Sequence, residues 1–184
     1  IPLRLVGSEM CIRDRMGNVS MFTNSDLDCD AIQSFGADHI ALATGAHWTR
    51  HLYSALEIPI TPLNKPQVFT PDEVFAGKVT GDRLLVFDFD HYYLGGVIAE
   101  HLANSGKQVT YATPAGHASA WTFMTNELPF VYQALARAGV AIHTTTNLIS
   151  FEGTQATVAN LFNQTALELA VDGVVIVGLS LIHI

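Results

Sequence analysis

Hydrophobic positions change their period twice between residues 84 and 113. Residues 84–89 form an apolar run, which is typical of a strand buried on both faces. Residues 97–104 carry apolar side chains at helical spacing, and Ser105-Gly106 ends that pattern. Residues 108–113 then predict a second strand. The order of strand, turn, helix and strand predicts a βαβ unit.

The turn of this unit, residues 90–96, differs from the G-x-G-x-x-G fingerprint of dinucleotide-binding folds. The first two glycines of that fingerprint let the backbone approach a pyrophosphate, and the third lets the helix pack closely on the strand. In the best register Asp90 and Tyr92 replace the first two glycines, and Gly95 keeps the third. The phenol and two carboxylates, Asp90 and the nearby Asp88, oppose a phosphate by bulk and charge. We therefore predict that the turn does not bind NAD(P) in the usual way; a displaced loop that still accepts a nucleotide is the alternative.

The segment that follows the unit predicts one helix and one further strand. Residues 121–138 have helical spacing, and Pro129 inside them is expected to kink the helix or to mark its restart. Residues 140–143 predict a strand, and residues 147–151 are interpreted as its continuation.

The last part of the chain predicts β-structure only. Residues 155–161 and 165–169 predict an antiparallel hairpin, and residues 171–178 a final buried strand. The fold class expected from all these elements is α/β: a three-layer Rossmann-like domain of the FAD/NAD(P)-binding type. Its sheet is expected to be mostly parallel, with a small antiparallel hairpin, and part of a second such domain precedes it.

The part that precedes the central unit predicts elements of that second domain. Residues 18–22 predict a short strand, and Ser25 is expected to cap a helix that Gly36 ends. Residues 37–46 predict a buried strand that runs into a turn of small residues, Ala43-Thr44-Gly45. Small residues allow close approach of a ligand or of backbone, although an ordinary strand-to-loop turn has the same pattern.

The linker, residues 61–80, is rich in proline and contains one helix start. Thr70 is expected to cap a helix with Pro71 in its first position, and Gly77 to end it. The natural domain boundaries are then residues 16–60 and 81–178. Residues 1–15 and 179–184 resemble translated sequencing adapters and are interpreted as non-native; a real N-terminal arm and a real final strand are the alternative.

Composition excludes several classes of protein. The 184 residues are 49% hydrophobic and 14% charged, which favours a packed core over disorder. The net charge of −8, with only nine scattered Lys and Arg, argues against a nucleic-acid partner. No apolar run has the length of a membrane span, so a membrane partner is not expected. Two cysteines are too few for a disulfide framework and favour a reducing, cytoplasmic compartment.

Several motifs together resemble one family. The motifs lie at residues 36–40, 43–48, 69–72, 88–96 and 119–122, and the D-x-D-H-Y-Y-x-G-G string is the most distinctive of them. Their order is similar to the C-terminal region of the trimethylamine, dimethylamine and histamine dehydrogenase-like branch of the NADH:flavin oxidoreductase (old yellow enzyme-like) family.

The resemblance implies a fragment of a larger flavoprotein. Members of the family carry FMN and the substrate site on a TIM barrel, a [4Fe-4S] cluster on four cysteines, and two nucleotide-binding-type domains. Residues 16–60 resemble the end of the FAD/ADP-binding domain, and residues 81–178 resemble the NAD-type domain. Neither FMN nor the cluster is expected on this chain, and no catalytic or metal-binding residue is expected in it.

The resemblance also implies a cofactor site and partners. Ala43, Thr44, Gly45 and Gly95 are the expected cofactor-binding residues, for a partial FAD or ADP site with NAD(P) not expected. The full-length protein is expected to be a homo-oligomer that passes electrons to an electron-transfer flavoprotein.

Two other functions stay open for this chain. One is an NAD(P)H-dependent flavin reductase of the dienoyl-CoA reductase type with a nonstandard loop. The other is a non-enzymatic Rossmann-like interaction module. In the functional interpretation His91, Tyr92 and Tyr93 line a vestigial nucleotide pocket or a redox-partner face. In the other interpretation Tyr92 and Tyr93 only fill the space that an absent pyrophosphate leaves.

Overall fold

The computed structural model describes residues 16–50, 63, 65–178 and 180–181. The chain divides into two compact units, Ile1–Ala43 and Thr44–Ile184, and each is described by itself. Among the described residues, none of the helices combines the length and the hydrophobicity needed to cross a bilayer.

The first unit contains one short helix, α1, Cys29–Ser34. Asp28 caps it, because its carboxylate accepts the Ala31 N–H at 2.8 Å. Gly36, with φ +67°, follows its end as predicted. The prediction of a Ser25 cap is wrong, because Ser25 lies too far ahead of the first turn and its hydroxyl donates to the Thr23 carbonyl.

Two predicted strands are absent from the described structure, one within the first unit and one that crosses its boundary. Residues 18–22 and 37–46 have no regular structure and are exposed, so the prediction of a buried strand ending at Ala43-Thr44-Gly45 is wrong. A buried strand needs a neighbour that takes its N–H and C=O groups, and a layer that covers its side chains. None of the described strands pairs with either segment. Large apolar side chains such as Phe22 and Phe35 consequently stay exposed.

The second unit is built on a five-stranded parallel sheet. In chain order the strands of this unit are β1 His47–Trp48, β2 Val68–Phe69, β3 Arg83–Asp88, β4 Gln108–Ala112, β5 Ala141–His143, β6 Thr146–Phe151, β7 Gln155–Asn160, β8 Ala166–Ala170, β9 Gly173–Val177 and β10 Ser180–Leu181. The strand order of the parallel sheet is β2-β9-β3-β4-β5. A three-stranded antiparallel sheet, β6-β7-β8, belongs to the same unit, and β1 pairs with β10. The helices are α2 Pro71–Phe75, α3 Tyr93–Asn104, a 3₁₀ helix at Ala120–Phe123 and α4 Leu128–Arg137.

The core of this unit lies on both faces of the parallel sheet. Successive residues of β3 point to opposite faces, so Leu84 packs with α3 and α4, whereas Leu85 packs with the antiparallel sheet. The apolar run at residues 84–89 therefore corresponds to a strand that is covered on both sides. The predicted α/β class, with a mostly parallel sheet and a small antiparallel part, is confirmed.

Three predicted boundaries differ from the structure. Helix α3 begins at Tyr93 and not at residue 97, so the turn before it is shorter. Residues 121–138 split into the 3₁₀ helix and α4, with Pro129 in the first turn of α4, where its missing N–H costs no hydrogen bond. Residues 146–151 do not continue β5, because Thr145 has φ +50° and turns the chain into the second sheet.

The cap of α2 is as predicted. The Thr70 hydroxyl accepts the Glu73 N–H at 3.4 Å, and the Glu73 carboxylate accepts the Thr70 N–H at 3.0 Å. This reciprocal pair is a capping box. We expect Thr70→Ala to lower the free energy of unfolding by about 1–2 kcal/mol, as measured by urea denaturation. The exposed Thr154→Ala is the matched control, and an equal loss in both variants would contradict the capping role.

Candidate functional site

The topology of the parallel sheet indicates where a ligand site is expected. From β3 the chain proceeds outward to β4 and β5 on one side, while β9 and β2 lie on the other side. The point where the direction reverses lies between β3 and β9. In open α/β sheets ligands bind in the crevice outside the carboxyl ends of the strands at such a point. The expected site is therefore the loop after β3, residues 89–92, together with the end of β9.

This loop is tied across the crevice to β9. The Phe89 N–H donates to the Val177 carbonyl oxygen at 2.7 Å, and the Asp90 N–H donates to the same oxygen at 3.1 Å. Because Asp88 and Val177 are register partners, the Phe89 bond extends the β3–β9 ladder by one rung, and the Asp90 bond shares its acceptor. The start of the loop is thus held at the end of β9, and we call the crevice closed in this sense.

Asp88 occupies the inner side of the loop. It is the last residue of β3 and is fully buried. One carboxylate oxygen accepts the N–H groups of Asp90 and His91, both at 3.1 Å. The other oxygen accepts the hydroxyl proton of Tyr111 from β4. Backbone N–H groups of a strand-to-helix loop are the donors that bind phosphate in nucleotide-binding folds, and here an internal carboxylate takes two of them.

A buried polar cluster extends from Asp88 into the next loop. The Ser119 N–H donates to the Tyr111 hydroxyl oxygen at 3.0 Å. Ser119 has φ +47° and is fully buried, and its own hydroxyl has no hydrogen-bond partner among the described residues. Burial raises the pKa of Asp88 to about 6, and burial together with the Asp88 charge raises the pKa of Tyr111.

Gly95 lies in the first turn of α3, directly against Asp88. A Cβ atom at this position would lie 2.5 Å from Asp88 Cγ and 2.7 Å from Asp88 Cβ, which no real packing allows. The third fingerprint glycine therefore has a packing role between helix and strand, as its register predicts. Its assignment as a cofactor-binding residue stays a prediction.

Aromatic side chains cover the outer side of the loop. His91 has φ +63°, and its Nδ1 lies 3.3 Å from the Thr113 hydroxyl. Its ring centroid is 5.4 Å from that of Phe89 and 6.4 Å from that of Trp121. Burial lowers the pKa of His91, although the negative charge of Asp90 acts to raise it. These contacts involve His91 and not the two tyrosines that follow it: Tyr93 is exposed, and its hydroxyl donates to Glu127. That Tyr92 and Tyr93 fill the space of an absent pyrophosphate stays a prediction.

The remaining predicted site residues lie outside the regular elements. Ala43, Thr44 and Gly45 are exposed and lie in no helix or strand, and Gly45 has φ +82°. Their role as cofactor-binding residues stays a prediction. Sequence reasoning assigns no site role to Tyr111 or Ser119, although Ser119 belongs to one of the motifs that carry the family resemblance. It treats Asp88 only as a repulsive charge, although an Asp at the start of a turn is a known signal for side-chain bonds to loop N–H groups.

The chain does not offer the ligands of an iron–sulfur cluster. A [4Fe-4S] cluster takes four thiolates, whereas the sequence has two cysteines. In the part of the chain that the structure describes, no three His, Cys, Asp or Glu side chains come together as a metal site.

Comparison with known proteins identifies relatives of this arrangement. Residues 69–170, more than half of the chain, match the family described as OYE-like second alpha/beta domain. A stretch of 94 residues is 34% identical to dimethylamine dehydrogenase from Hyphomicrobium sp. (strain x), and it covers 49% of this chain and 13% of that protein.

Two solved structures are similar over almost all of the chain. The 6-hydroxypseudooxynicotine amine oxidase of Pseudomonas geniculata N1 is 34% identical with a TM-score of 0.87, covering 97% of this chain and 27% of that one. Histamine dehydrogenase from Rhizobium sp. 4-9 is 28% identical with a TM-score of 0.84, covering 96% and 28%. The chain thus spans less than a third of the length of these relatives. It belongs to the OYE-like second alpha/beta domain family, in the branch that contains the amine dehydrogenases.

Proposed function

We propose that this chain is part of a longer flavin-dependent oxidoreductase that oxidises an amine. Three similar proteins support the proposal, since they are named as a dimethylamine dehydrogenase, a histamine dehydrogenase and an amine oxidase. FMN, the [4Fe-4S] cluster and the substrate are bound by other parts of that polypeptide. Ala43, Thr44 and Gly45 contribute to a partial FAD or ADP site.

The domain at residues 81–178 then has the fold of a nucleotide-binding domain with a crevice that holds no NAD(P). The observation that carries this proposal is the Asp88 carboxylate, which accepts two N–H groups of the loop after β3. A pyrophosphate would have to displace a fully buried, triply hydrogen-bonded carboxylate of its own charge sign.

The domain serves instead as a scaffold and as a docking surface for the electron acceptor. An acceptor such as an electron-transfer flavoprotein makes pyridine nucleotides unnecessary for turnover, which agrees with a closed crevice. We place the full-length enzyme in the cytoplasm as a homo-oligomer.

A thermal-shift titration of this chain with NADH, NADPH, ADP and FAD tests the closed crevice. A ligand that binds only the folded state stabilises it by about 2.7 kcal/mol at a hundredfold excess over its Kd. We expect no shift of the melting temperature with NADH or NADPH. A clear shift with either would overturn the closed crevice and favour the flavin reductase alternative.

The activity itself is tested on the complete protein. We expect anaerobic addition of secondary or tertiary amines to bleach the flavin absorbance, with NADH as the control that leaves it unchanged. Bleaching by NADH alone would contradict an amine dehydrogenase.

A further inference from the structure

Large apolar side chains are concentrated next to the closed crevice. We call this surface the aromatic face, and its exposed members come from α3, the 3₁₀ helix with the residue after it, and α4. The members are Tyr93, Val97, Trp121, Phe123, Met124 and Phe130. Trp121 is 61% exposed, Phe123 67%, Met124 82% and Phe130 69%. The elements that carry them are linked, because the Tyr93 hydroxyl donates to Glu127 ahead of α4 and the Trp121 N–H donates to His91 ahead of α3. Single exposed apolar residues are ordinary, whereas several on linked elements make a candidate interaction surface.

The aromatic face is held rigidly on the loop that closes the crevice. The Trp121 N–H donates to the His91 carbonyl at 2.8 Å. Thr122, between the two exposed rings of Trp121 and Phe123, is fully buried, and its hydroxyl donates to the Ser119 carbonyl at 2.7 Å. The exposed rings therefore project from an anchored turn. A surface that is ordered before binding loses little conformational entropy when a partner covers it.

Two acidic residues, Glu127 and Asp90, adjoin the elements that carry the aromatic face. The Glu127 carboxylate accepts hydroxyl protons from Thr125 and Tyr93. These two hydrogen bonds lower the pKa of Glu127, so the group is charged at neutral pH. Asp90 is partly exposed and precedes His91, whose carbonyl accepts the Trp121 N–H. Electrostatic complementarity then favours a partner surface with an apolar centre and lysine or arginine side chains around that centre.

We infer the partner of the aromatic face from how much longer the relatives are than this chain. The chain covers 27% and 28% of the two amine-oxidising enzymes whose structures it matches over nearly its whole length. None of the described residues of this chain covers the aromatic face, so its side chains stay exposed. A permanent partner in the same polypeptide would account for such a surface, since exposed patches of this kind otherwise promote association.

We infer that the aromatic face docks on the flavin-bearing remainder of the longer polypeptide, against a surface with an apolar centre and a basic rim. This inference rests on the proposed function, because it takes the chain as part of a longer enzyme. The inference adds which surface of the domain with the closed crevice contacts the rest of that enzyme.

Hydroxyl-radical footprinting read by mass spectrometry tests the docking. Trp121 and Met124 carry oxidisable side chains, so each reports its own exposure. We expect rapid oxidation of both in this chain and a several-fold slower oxidation in the complete protein. Phe162, 84% exposed in the turn between β7 and β8, is the internal control and should be oxidised equally in both. Equal oxidation of Trp121 and Met124 in the two proteins would overturn the inference.

The same measurement separates other occupants. Protection of this chain that rises with its concentration would indicate a second copy, and protection that needs an added electron-transfer protein would indicate a separate partner; either result overturns the inference. Footprinting needs no turnover, so protection in a complete protein without amine activity supports docking while the proposed function fails. In the complete protein, Trp121→Ser should restore oxidation of Met124, whereas Phe162→Ser should not.

Discussion

Gly95→Ala is expected to lower the free energy of unfolding of this chain by about 3 kcal/mol, although alanine is the better helix former. The added methyl would lie 2.5 Å from Asp88 Cγ and 2.8 Å from its Oδ2. Neither side of this contact can move cheaply. The Asp88 side chain is fixed by three hydrogen bonds, and α3 is packed against β3 through Ile98 and Leu102. The overpacking penalty therefore exceeds the gain of about 1 kcal/mol in helix propensity.

Urea denaturation followed by circular dichroism measures this effect. Gly116→Ala is the matched control, because a Cβ at Gly116 meets no atom within 4 Å, and it should change the free energy of unfolding by less than about 0.5 kcal/mol. In an Asp88→Gly background the penalty of Gly95→Ala should shrink, because the clashing atoms are gone. An unchanged penalty in that background would show that Asp88 is not the cause.

The core of the second unit is predictable because its central strands, β3 and β9, are covered on both faces. Residues 84–89 and 171–178 need no alternation to be recognised, since short apolar runs bounded by turns are typical of fully buried strands. The cap at Thr70 is predictable for a different reason: its partners lie within three residues. The first unit is not, because the pattern at residues 37–46 indicates only that the segment is apolar, whereas a strand also requires a neighbour in the sheet.

The candidate site is predictable only in part. The sequence shows which glycines the loop lacks, and the prediction that the loop binds no pyrophosphate rests on that absence. It does not show what replaces the ligand. Tyr111 lies 23 residues from Asp88 along the chain, and Ser119 lies 8 residues from Tyr111, so the cluster joins β3, β4 and the following loop. Such contacts depend on strand register, which no local pattern encodes.

Asp88 is expected to make this chain less stable as the pH rises from 4 to 7. Burial raises the pKa of Asp88 from 3.8 to about 6, so the folded state binds its proton more tightly than the unfolded state does. A group whose pKa is raised on folding contributes stability below the pKa of the unfolded chain, and loses that contribution as the pH rises through the pKa of the folded chain. The loss attributable to Asp88 is at most about 3 kcal/mol. Glu127 acts in the opposite direction, because its pKa is lowered in the folded state.

A comparison with Asp88→Asn isolates this contribution from the other carboxylates. The amide oxygen can still accept the loop N–H groups, but the side chain no longer titrates, and its amide group faces the Tyr111 hydroxyl in place of an accepting oxygen. We expect the difference in free energy of unfolding between the wild type and Asp88→Asn to vary between pH 4 and pH 7, whereas the exposed Asp38→Asn should track the wild type. If the two curves for wild type and Asp88→Asn stay parallel, the buried carboxylate does not titrate in this range. The closed crevice would then be held by a permanently charged group, and acid would not loosen the hydrogen bonds that keep the loop on β9.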